Sequence, residues 1–478
     1  MRQKALQSQS IAGTDDMEDQ FDKTITFLDS MLGHFTKTAL QVILRSPAVF
    51  YFALRPYLIL FTEYLLSHRL PNPLIPHEEG GVAFKLISLH ALHILTIAVD
   101  KREYDLSFLS LDEPLRSLYH REVLEVMAEN ISGSSGDEGG GGSSFNSANQ
   151  PKRNRFQALL HQLVLHYCAM TENDVEEWAE NPEDYFLAWL QETEAQKHEL
   201  VAAIGQLLKA MSNVFPEFVV PIFLDVVRNA YSSSATNTNF PSISLAPFPS
   251  NLISGENGNQ IHEWAPVLYR NAVSYLLGVV HCELHEYLPA EFYMEDVLPR
   301  ASNLVQCISS LHEQQSEVRK ASGGGQGGEW VRCVNVGLLM RCCVDLKSCL
   351  WVCGKWVGKI RGNRNLLYTV ILSVIALEEV AVVMKKRTEF DGDSSFDEGS
   401  HEEKRESNSG DEFDKNDITY PILALRLQAA MTLELVLKDT WFEMQFFEEF
   451  SQTSIRLLFN LLSQCTLIES KQQVCECF

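Results

Sequence analysis

Apolar residues recur along this chain at alternating intervals of four and three, which places them on one face of an α-helix. The pattern is clearest in three stretches: Phe21, Ile25, Leu28, Leu32, Phe35, Ala39 and Val42; Trp264, Leu268, Ala272, Tyr275, Val279 and Cys282; and Ile422, Leu425, Ala429, Leu433 and Val436. Residues 82–99 are apolar nearly all round, as is typical of a helix covered on more than one side. No comparable stretch alternates between apolar and polar residues, so the sequence predicts an all-α fold.

Four low-complexity segments interrupt the helical regions. Gly, Ser and acidic residues fill 131–150; Ser, Asn and Pro fill 231–260; Gly fills 322–328; and Asp, Glu and Ser fill 391–417. These compositions predict disordered, flexible insertions. The blocks left between the last three, 262–314, 330–387 and 418–465, can each hold two helices and approach the ~40–47 residues of a HEAT or armadillo repeat. We therefore expect an α-solenoid of HEAT-type hairpins, a right-handed superhelix over residues 20–470; an irregular helical domain without repeats is the alternative.

The charge balance argues against direct binding of nucleic acid. The chain holds 39 Lys plus Arg and 63 Asp plus Glu, a formal net charge of -24. Such a chain repels a phosphate backbone and attracts basic protein surfaces. Its 11 cysteines lie mostly in apolar helical stretches without the spacing of a disulfide framework, which favours a cytosolic or nuclear setting. Residues 1–20 lack the apolar run of a signal peptide, and the apolar runs 49–61 and 366–377 have core-helix length, so we expect no membrane insertion.

Local patterns that could carry chemistry have simpler structural interpretations. His281 and His285 lie four apart on a predicted helix, but a third zinc ligand at suitable spacing is missing. Residues 323–328 fit G-x-G-x-x-G, yet they follow a polar, charged segment rather than a strand. Four cysteines are expected to act as small buried hydrophobic side chains: Cys342, Cys343, Cys349 and Cys353. No nucleophile elbow, Walker motif or kinase signature is present, so we expect no catalytic residue, metal, cofactor or enzymatic activity.

Two charged segments remain as candidates. The acidic insertion carries Asp391, Asp393, Asp397, Glu398, Glu402, Glu403, Asp411 and Glu412. A solvated run without a ligand is its simple interpretation, and a loop that meets basic protein cargo is the functional one. The basic residues Lys152, Arg153 and Arg155 predict the solvated start of a helix, with a nuclear-localisation signal as the alternative.

Residues 171–186 resemble an element of the importin-β (karyopherin) family of nuclear transport receptors, in which a tryptophan precedes Asn/Asp-Pro-Glu. The residues that carry the resemblance are Glu172, Val175, Trp178, Asn181, Pro182 and Glu183. Segments 61–63, 80–84, 163–167, 350–357 and 426–433 follow the order seen in this family. Residues 425–433 look like the second helix of a HEAT repeat, in which Arg426 can reach carboxylates or helix C-termini. The resemblance spans roughly residues 20–470, although Gln196-Lys197-His198-Glu199 stands where the family usually has an Arg-Pro pair.

The resemblance implies a nuclear import receptor that shuttles between cytoplasm and nucleus. It would bind protein cargo with a basic surface, cross the nuclear pore by weak contacts with phenylalanine-glycine nucleoporins, and release the cargo when Ran-GTP binds in the nucleus. The family's amino-terminal Ran-binding arch has no counterpart here, so we expect the central part of a receptor. Such a segment would expose apolar side chains at its first and last helices, namely Phe21, Phe27, Phe35, Ile43, Phe450, Leu458 and Leu462. A HEAT-repeat scaffold or regulatory subunit of another pathway is the alternative.

Overall fold

A computed structural model describes residues 15–67, 80–100, 113–131, 153–191, 195–231, 261–321, 336–360, 364–383, 418–439 and 444–477. These residues form an all-α fold. The helices are α1 (Asp15–Arg45), α2 (Pro47–Ser67), α3 (Gly80–Val99), α4 (Glu113–Ala128), α5 (Arg155–Leu163), α6 (Glu172–Glu180), α7 (Pro182–Gln191), α8 (Ala195–Val214), α9 (Pro216–Tyr231), α10 (Ile261–Val279), α11 (His281–Leu284), α12 (Ala290–Phe292), α13 (Leu298–Ala321), α14 (Val336–Lys355), α15 (Arg364–Ile375), α16 (Ile422–Lys438), α17 (Met444–Gln464) and α18 (Ile468–Cys475). π-helical turns follow α5 at Val164–Cys168 and α12 at Tyr293–Val297, and a 3-10 turn occupies Val357–Lys359.

The described ranges contain four β-strands of two residues each, β1 (Asn130–Ile131), β2 (Arg153–Asn154), β3 (Val382–Val383) and β4 (Ile418–Thr419). β1 pairs antiparallel with β2, and Ile131 lies opposite Arg153. β3 pairs antiparallel with β4, and Val383 lies opposite Ile418. Each pair therefore joins the two ends of one insertion, residues 132–152 in the first case and 384–417 in the second.

Most helices fall into two layers. In the first layer, α1, α3, α8, α10, α14 and α16 each pack against the next. In the second layer, α2 packs on α4, α13 on α15, and α15 on α17. The predicted blocks each hold two long helices, as expected. The packed hairpins, however, are α9/α10, α13/α14 and α15/α16, so the linkers at 322–328 and 391–417 lie within hairpins rather than between them.

Glycines allow close approach between neighbouring helices of the first layer. A Cβ atom on Gly278 of α10 would lie 2.1 Å from Nε1 of Trp351 on α14. A Cβ atom on Gly205 of α8 would lie 2.9 Å from Cγ1 of Val279 on α10. Real Cβ atoms do not come this close to neighbouring atoms, so the α8/α10 and α10/α14 crossings require residues without a side chain.

The all-round apolar character predicted for α3 and the apolar stripe predicted for α16 are confirmed. In α3 the buried residues lie all around the helix, because α1, α2, α4 and α8 pack against it. In α16 the whole predicted stripe is buried: Ile422, Leu425, Ala429, Leu433 and Val436. The insertion predicted from residue 231 begins one residue later, since Tyr231 ends α9 and its hydroxyl lies 2.7 Å from Oγ of Ser274 inside the core.

The predicted exposure of the first and last helices is only partly right. Phe27 and Phe35 of α1 are 62% and 44% exposed, as expected, but Ile43 is 2% exposed because α1 packs on α2 and α3. In α17, which packs against α15, Leu458 is buried, and Phe450 and Leu462 are partly buried. The side chain of Phe21 is not among those that the structure describes.

By length and composition, α2 could cross a membrane over Pro47–Leu66, and it is the one such helix in the described ranges. One face packs into the core through Phe50, Leu54, Leu58, Phe61 and Leu65. The opposite face exposes Val49, Phe52 and Leu60. Arg55 lies within this helix, and its guanidinium pairs with three carboxylates: Glu122 and Glu125 of α4, and Glu129, the residue after α4.

Candidate functional site

One segment lies outside both layers and crosses the first one. Residues 155–191, which comprise α5, the π turn at 164–168, α6 and α7, are named the strap. At its start, α5 packs against α2 and α4. The π turn then contacts α8 and α10, and α7 ends against α16 and α18. The strap therefore spans most of the array and contacts helices that are distant in the sequence.

Local sequence signals explain the short helices of the strap. Asn154 caps α5, because its Oδ1 accepts a hydrogen bond of 2.7 Å from the backbone N–H of Gln157. Thr171 and Asp174 form a capping box at the start of α6, in which each side chain accepts from the other residue's backbone N–H. Pro182 occupies the first position of α7, where its missing N–H costs nothing. The Asn-Pro step thus ends one helix and begins the next.

Trp178 fastens the strap to α16. Its side chain is fully buried, and its Nε1 donates a hydrogen bond of 2.9 Å to the carbonyl oxygen of Pro421, the residue before α16. Tyr185 stacks on the indole, with ring centroids 5.3 Å apart. A buried indole N–H needs such an acceptor, because leaving it without one costs free energy.

Glu183 fastens the strap to α18. Its buried carboxylate accepts hydrogen bonds from the backbone N–H of Thr466 at 3.0 Å and of Leu467 at 3.1 Å, and from the Thr466 hydroxyl. These residues immediately precede α18, so a negative charge lies at the helix N-terminus, where the helix dipole favours it. The Trp and Glu of the family-like element therefore make the two polar attachments at this end of the strap.

Lys347 projects from α14 into the aromatic side of the strap. Its Nζ lies 2.8 Å from the Tyr185 hydroxyl, and 4.6 Å, 4.8 Å and 5.3 Å from the ring centroids of Tyr185, Trp189 and Trp178. Burial lowers the pKa of Lys347 from its ordinary value to about 7. The ring faces attract the ammonium form and so oppose part of that effect. This arrangement is a cation–π contact within the chain, made between the strap and the first layer.

A buried ion cluster lies on α14 two residues before this lysine. Asp345 accepts from Nε of Arg270 on α10 at 2.7 Å and from Nη2 of Arg300 on α13 at 2.6 Å. Arg270 also donates to the carbonyl oxygen of Ala230 at the end of α9. Burial raises the pKa of Asp345, but the charge of Arg270 and the hydrogen bonds from Arg300 outweigh it, so the pKa lies below its ordinary value. The cluster links four helices of the array.

Arg426 behaves largely as predicted. Its Nε donates a hydrogen bond of 2.9 Å to the carbonyl oxygen of Ile375, the last residue of α15, and its Nη1 lies 3.7 Å from the Glu379 carboxylate. The guanidinium thus reaches both a helix C-terminus and a carboxylate. Arg426 is buried rather than at the edge of the array. Burial raises the pKa of Glu379 to about 8, and the charge of Arg426 offsets only part of the increase.

The predicted solvated start of α5 is wrong for one residue. Arg155 is buried, and its guanidinium pairs with Glu63 at 3.3 Å and with Glu129 at 3.4 Å. A buried arginine requires such partners. Arg155, the first residue of the strap, thus ties the strap to Glu63 and Glu129. Arg153 lies in β2, opposite Ile131 of β1, and Lys152 lies outside the described residues.

The acidic insertion, with Asp391, Asp393, Asp397, Glu398, Glu402, Glu403, Asp411 and Glu412, lies entirely outside the described residues, as do residues 323–328. His281 and His285 flank the indole of Trp356, with ring centroids 6.4 Å and 6.3 Å away. Among the described residues, no group of three or more His, Cys, Asp or Glu could hold a metal ion.

The four cysteines of α14 are buried, as predicted. Burial raises the thiol pKa of Cys343 and Cys349 well above the ordinary value and that of Cys353 to about 12. Sequence reasoning missed Lys347 and Asp345. A signal was present, because both charges lie among apolar residues of α14, and a charge in such a place needs a partner.

Comparison of the chain with protein-family models, with curated proteins and with solved structures finds no match.

Proposed function

We propose that this chain is a cargo-binding nuclear transport receptor of the importin-β family, or part of one, built as a right-handed α-solenoid of HEAT-type hairpins. One observation carries the proposal. Trp178 and Glu183, which belong to the family-like element, make the strap's attachments to Pro421 and to the start of α18. Two residues of the resembling element thus also hold the strap in place. The order of the other resembling segments is that of importin eleven.

The two-layer packing supports this function physically. Each first-layer helix contacts chiefly its neighbours, so small rotations between repeats add up and the array can adapt its curvature to a partner. In a HEAT solenoid the first layer would line the concave face, and the strap would cross that face. Cargo would then bind beside the strap.

The net charge of this chain indicates the kind of cargo that it would bind. The net charge of -24 favours proteins with a basic surface and accelerates their encounter. The acidic residues between Asp391 and Glu412 would contribute to that attraction. Ran-GTP and phenylalanine-glycine nucleoporins are the other partners that the family implies, with shuttling between cytoplasm and nucleus. On the second layer, Phe52, Val49 and Leu60 are exposed side chains that Phe-Gly repeats could contact.

Binding to immobilised repeats tests the transport function directly. Beads carrying a Phe-Gly repeat peptide should retain the chain, and beads carrying the matched Ser-Gly peptide should not. Replacing Phe52 and Leu60 by Ser should lower retention, whereas Phe459→Ser, at another exposed phenylalanine, in α17, should leave it unchanged. Equal retention on both peptides would contradict transport and favour a scaffold of another pathway.

A second titration tests the cargo and Ran steps. A histone dimer serves as the basic probe, and its binding should weaken as salt shortens the Debye length from about 10 Å at 0.1 M to about 3 Å at 1 M. Ran-GTP, but not Ran-GDP, should displace the probe. Displacement that ignores the bound nucleotide would count against the receptor function.

A further inference from the structure

Two cysteines face each other between α13 and α14. Sγ of Cys342 lies 3.5 Å from Sγ of Cys307, and the two residues are 35 positions apart in the chain. The helices that carry them pack closely along their length. A disulfide requires the sulfurs to approach to about 2.05 Å, which small side-chain rotations can supply when the two Cβ atoms already face each other.

The two thiols differ in access. Cys307 is half-buried and can meet a small oxidant from solvent, whereas Cys342 is 5% exposed. Burial, together with the neighbouring Cys307, raises the pKa of Cys342 to about 12. Cys307 is therefore the thiol that an oxidant reaches first, and Cys342 is placed to resolve the oxidised product.

We propose that Cys307 and Cys342 are a redox modification site, at which hydrogen peroxide or a related hydroperoxide converts the two thiols to a disulfide. The inference goes beyond the transport function and does not depend on it. In a reducing compartment the pair stays as thiols, and oxidative conditions close it.

The chemistry balances with peroxide as the only oxidant. The Cys307 thiolate attacks one peroxide oxygen, the O–O bond breaks, and a sulfenic acid and hydroxide result; the hydroxide takes up the proton that the Cys307 thiol released and becomes the first water. The Cys342 sulfur then attacks the sulfenic sulfur, its proton leaves with the departing hydroxide as a second water, and the S–S bond forms. Two thiols are oxidised by two electrons, and one peroxide is reduced to two waters.

The product would lock one hairpin of the array. The disulfide would join α13 to α14 beside the Arg300–Asp345 ion pair, which already links the same helices. Closing the loop of intervening residues restricts the unfolded chain, so oxidised protein should melt a few degrees higher than reduced protein. The two helices of this hairpin would also lose freedom to move relative to each other.

Mass spectrometry of the intact chain tests the proposal. Protein treated with hydrogen peroxide is alkylated, digested with trypsin and searched for a cross-link between fragments 301–319 and 342–347. The second fragment also holds Cys343, so the Cys343→Ala variant is run in parallel and should keep the cross-link. Cys307→Ser should abolish it, and dithiothreitol should reverse it and return the melting temperature to the reduced value. Cys282, an exposed cysteine, serves as the control thiol and should not enter the cross-link.

The opposite results would overturn the inference. One is over-oxidation of Cys307 to the sulfinic acid while Cys342 is recovered alkylated. Another is a cross-link that disappears in Cys343→Ala and so belongs to the neighbouring thiol. Cys307 is half-buried, so its serine variant should fold, and circular dichroism before oxidation verifies that the loss of the cross-link is not a loss of structure.

Discussion

The indole Nε1 of Trp178 donates a hydrogen bond of 2.9 Å to the carbonyl oxygen of Pro421, which lies 243 residues further along the chain. This bond joins the strap to the first layer of the array at the start of α16. Since the Trp178 side chain is fully buried, neither group can turn to water for a partner. The strap is therefore part of the core rather than a segment that lies on the surface.

Trp178→Phe should lower the free energy of unfolding by about 1–3 kcal/mol, because it removes the donor and leaves the Pro421 carbonyl unsatisfied in the core. Urea denaturation followed by circular dichroism measures the loss. Trp351→Phe is the matched control: that indole is half-buried and its Nε1 is 3.4 Å from the Tyr275 carbonyl oxygen. Losses of equal size in both variants would show that ring volume, and not the hydrogen bond, decides the effect.

Glu183→Gln should destabilise the start of α18 by about 1.5–3 kcal/mol, since the amide loses the charge that accepts from Thr466 and Leu467. Hydrogen exchange at those two backbone amides should accelerate, and the overall unfolding midpoint should fall. Glu469→Gln is the control in the first turn of α18, where the side chain is exposed, and its effect should stay within about 0.5 kcal/mol. Unchanged exchange at residues 466–467 in Glu183→Gln would contradict the cap.

Gly278→Ala should cost about 1–3 kcal/mol, because the new Cβ would lie 2.1 Å from Nε1 of Trp351 and must push α10 and α14 apart. Trp351→Ala opens the same space, so the double variant should lose less than the sum of the two single variants. Denaturant titration of all three proteins measures the coupling. Gly358→Ala, where nothing lies within 4 Å of the added atom, should be nearly neutral. Additive losses would mean that the crossing does not depend on this contact.

The helices could be predicted from the sequence because helical hydrogen bonds are local and a packed helix shows its buried face as a period. Thus α16, with its stripe from Ile422 to Val436, was foreseeable down to single residues. The departure of the strap from the two layers could not be predicted from the sequence. Its helices have the same period as their neighbours, and only Thr171, Asp174 and the Asn-Pro step at 181–182 distinguish them as short and separately capped.

The polar contacts could be predicted only in part. Arg426 was expected to reach a helix end or a carboxylate, and it does, because the side chain is long enough to find one in any helical array. Asp345 and Lys347 give a signal as charges among apolar residues of α14, yet their partners Arg270 and Tyr185 lie 75 and 162 positions away. Periodicity carries no information about pairings over such distances.

Lys347→Met should change how stability depends on pH. In the folded protein burial lowers the pKa of Lys347 from 10.5 to about 7, while in the unfolded chain it stays near its ordinary value. Between about pH 7 and 10 the unfolded chain therefore binds one more proton than the folded protein, and the free energy of unfolding of the wild type rises with pH by up to about 1.4 kcal/mol per unit. Below pH 7 the ammonium is present in both states, and the folded protein bears its full desolvation cost.

The methionine variant has no such proton, so its advantage over the wild type should be largest at or below pH 7 and should shrink as the pH rises to 9. The sign follows from a lysine pKa that folding lowers, which is the reverse of a lysine stabilised by a carboxylate. Urea denaturation of both proteins at pH 7, 8 and 9 measures the difference. Lys355→Met is the control, because that ammonium lies 4.6 Å from the Trp351 ring centroid and its side chain is only half-buried. Parallel pH profiles for wild type and Lys347→Met would show that the three rings around Nζ keep the ammonium charged in the folded protein, so that the cation–π attraction exceeds the cost of burial.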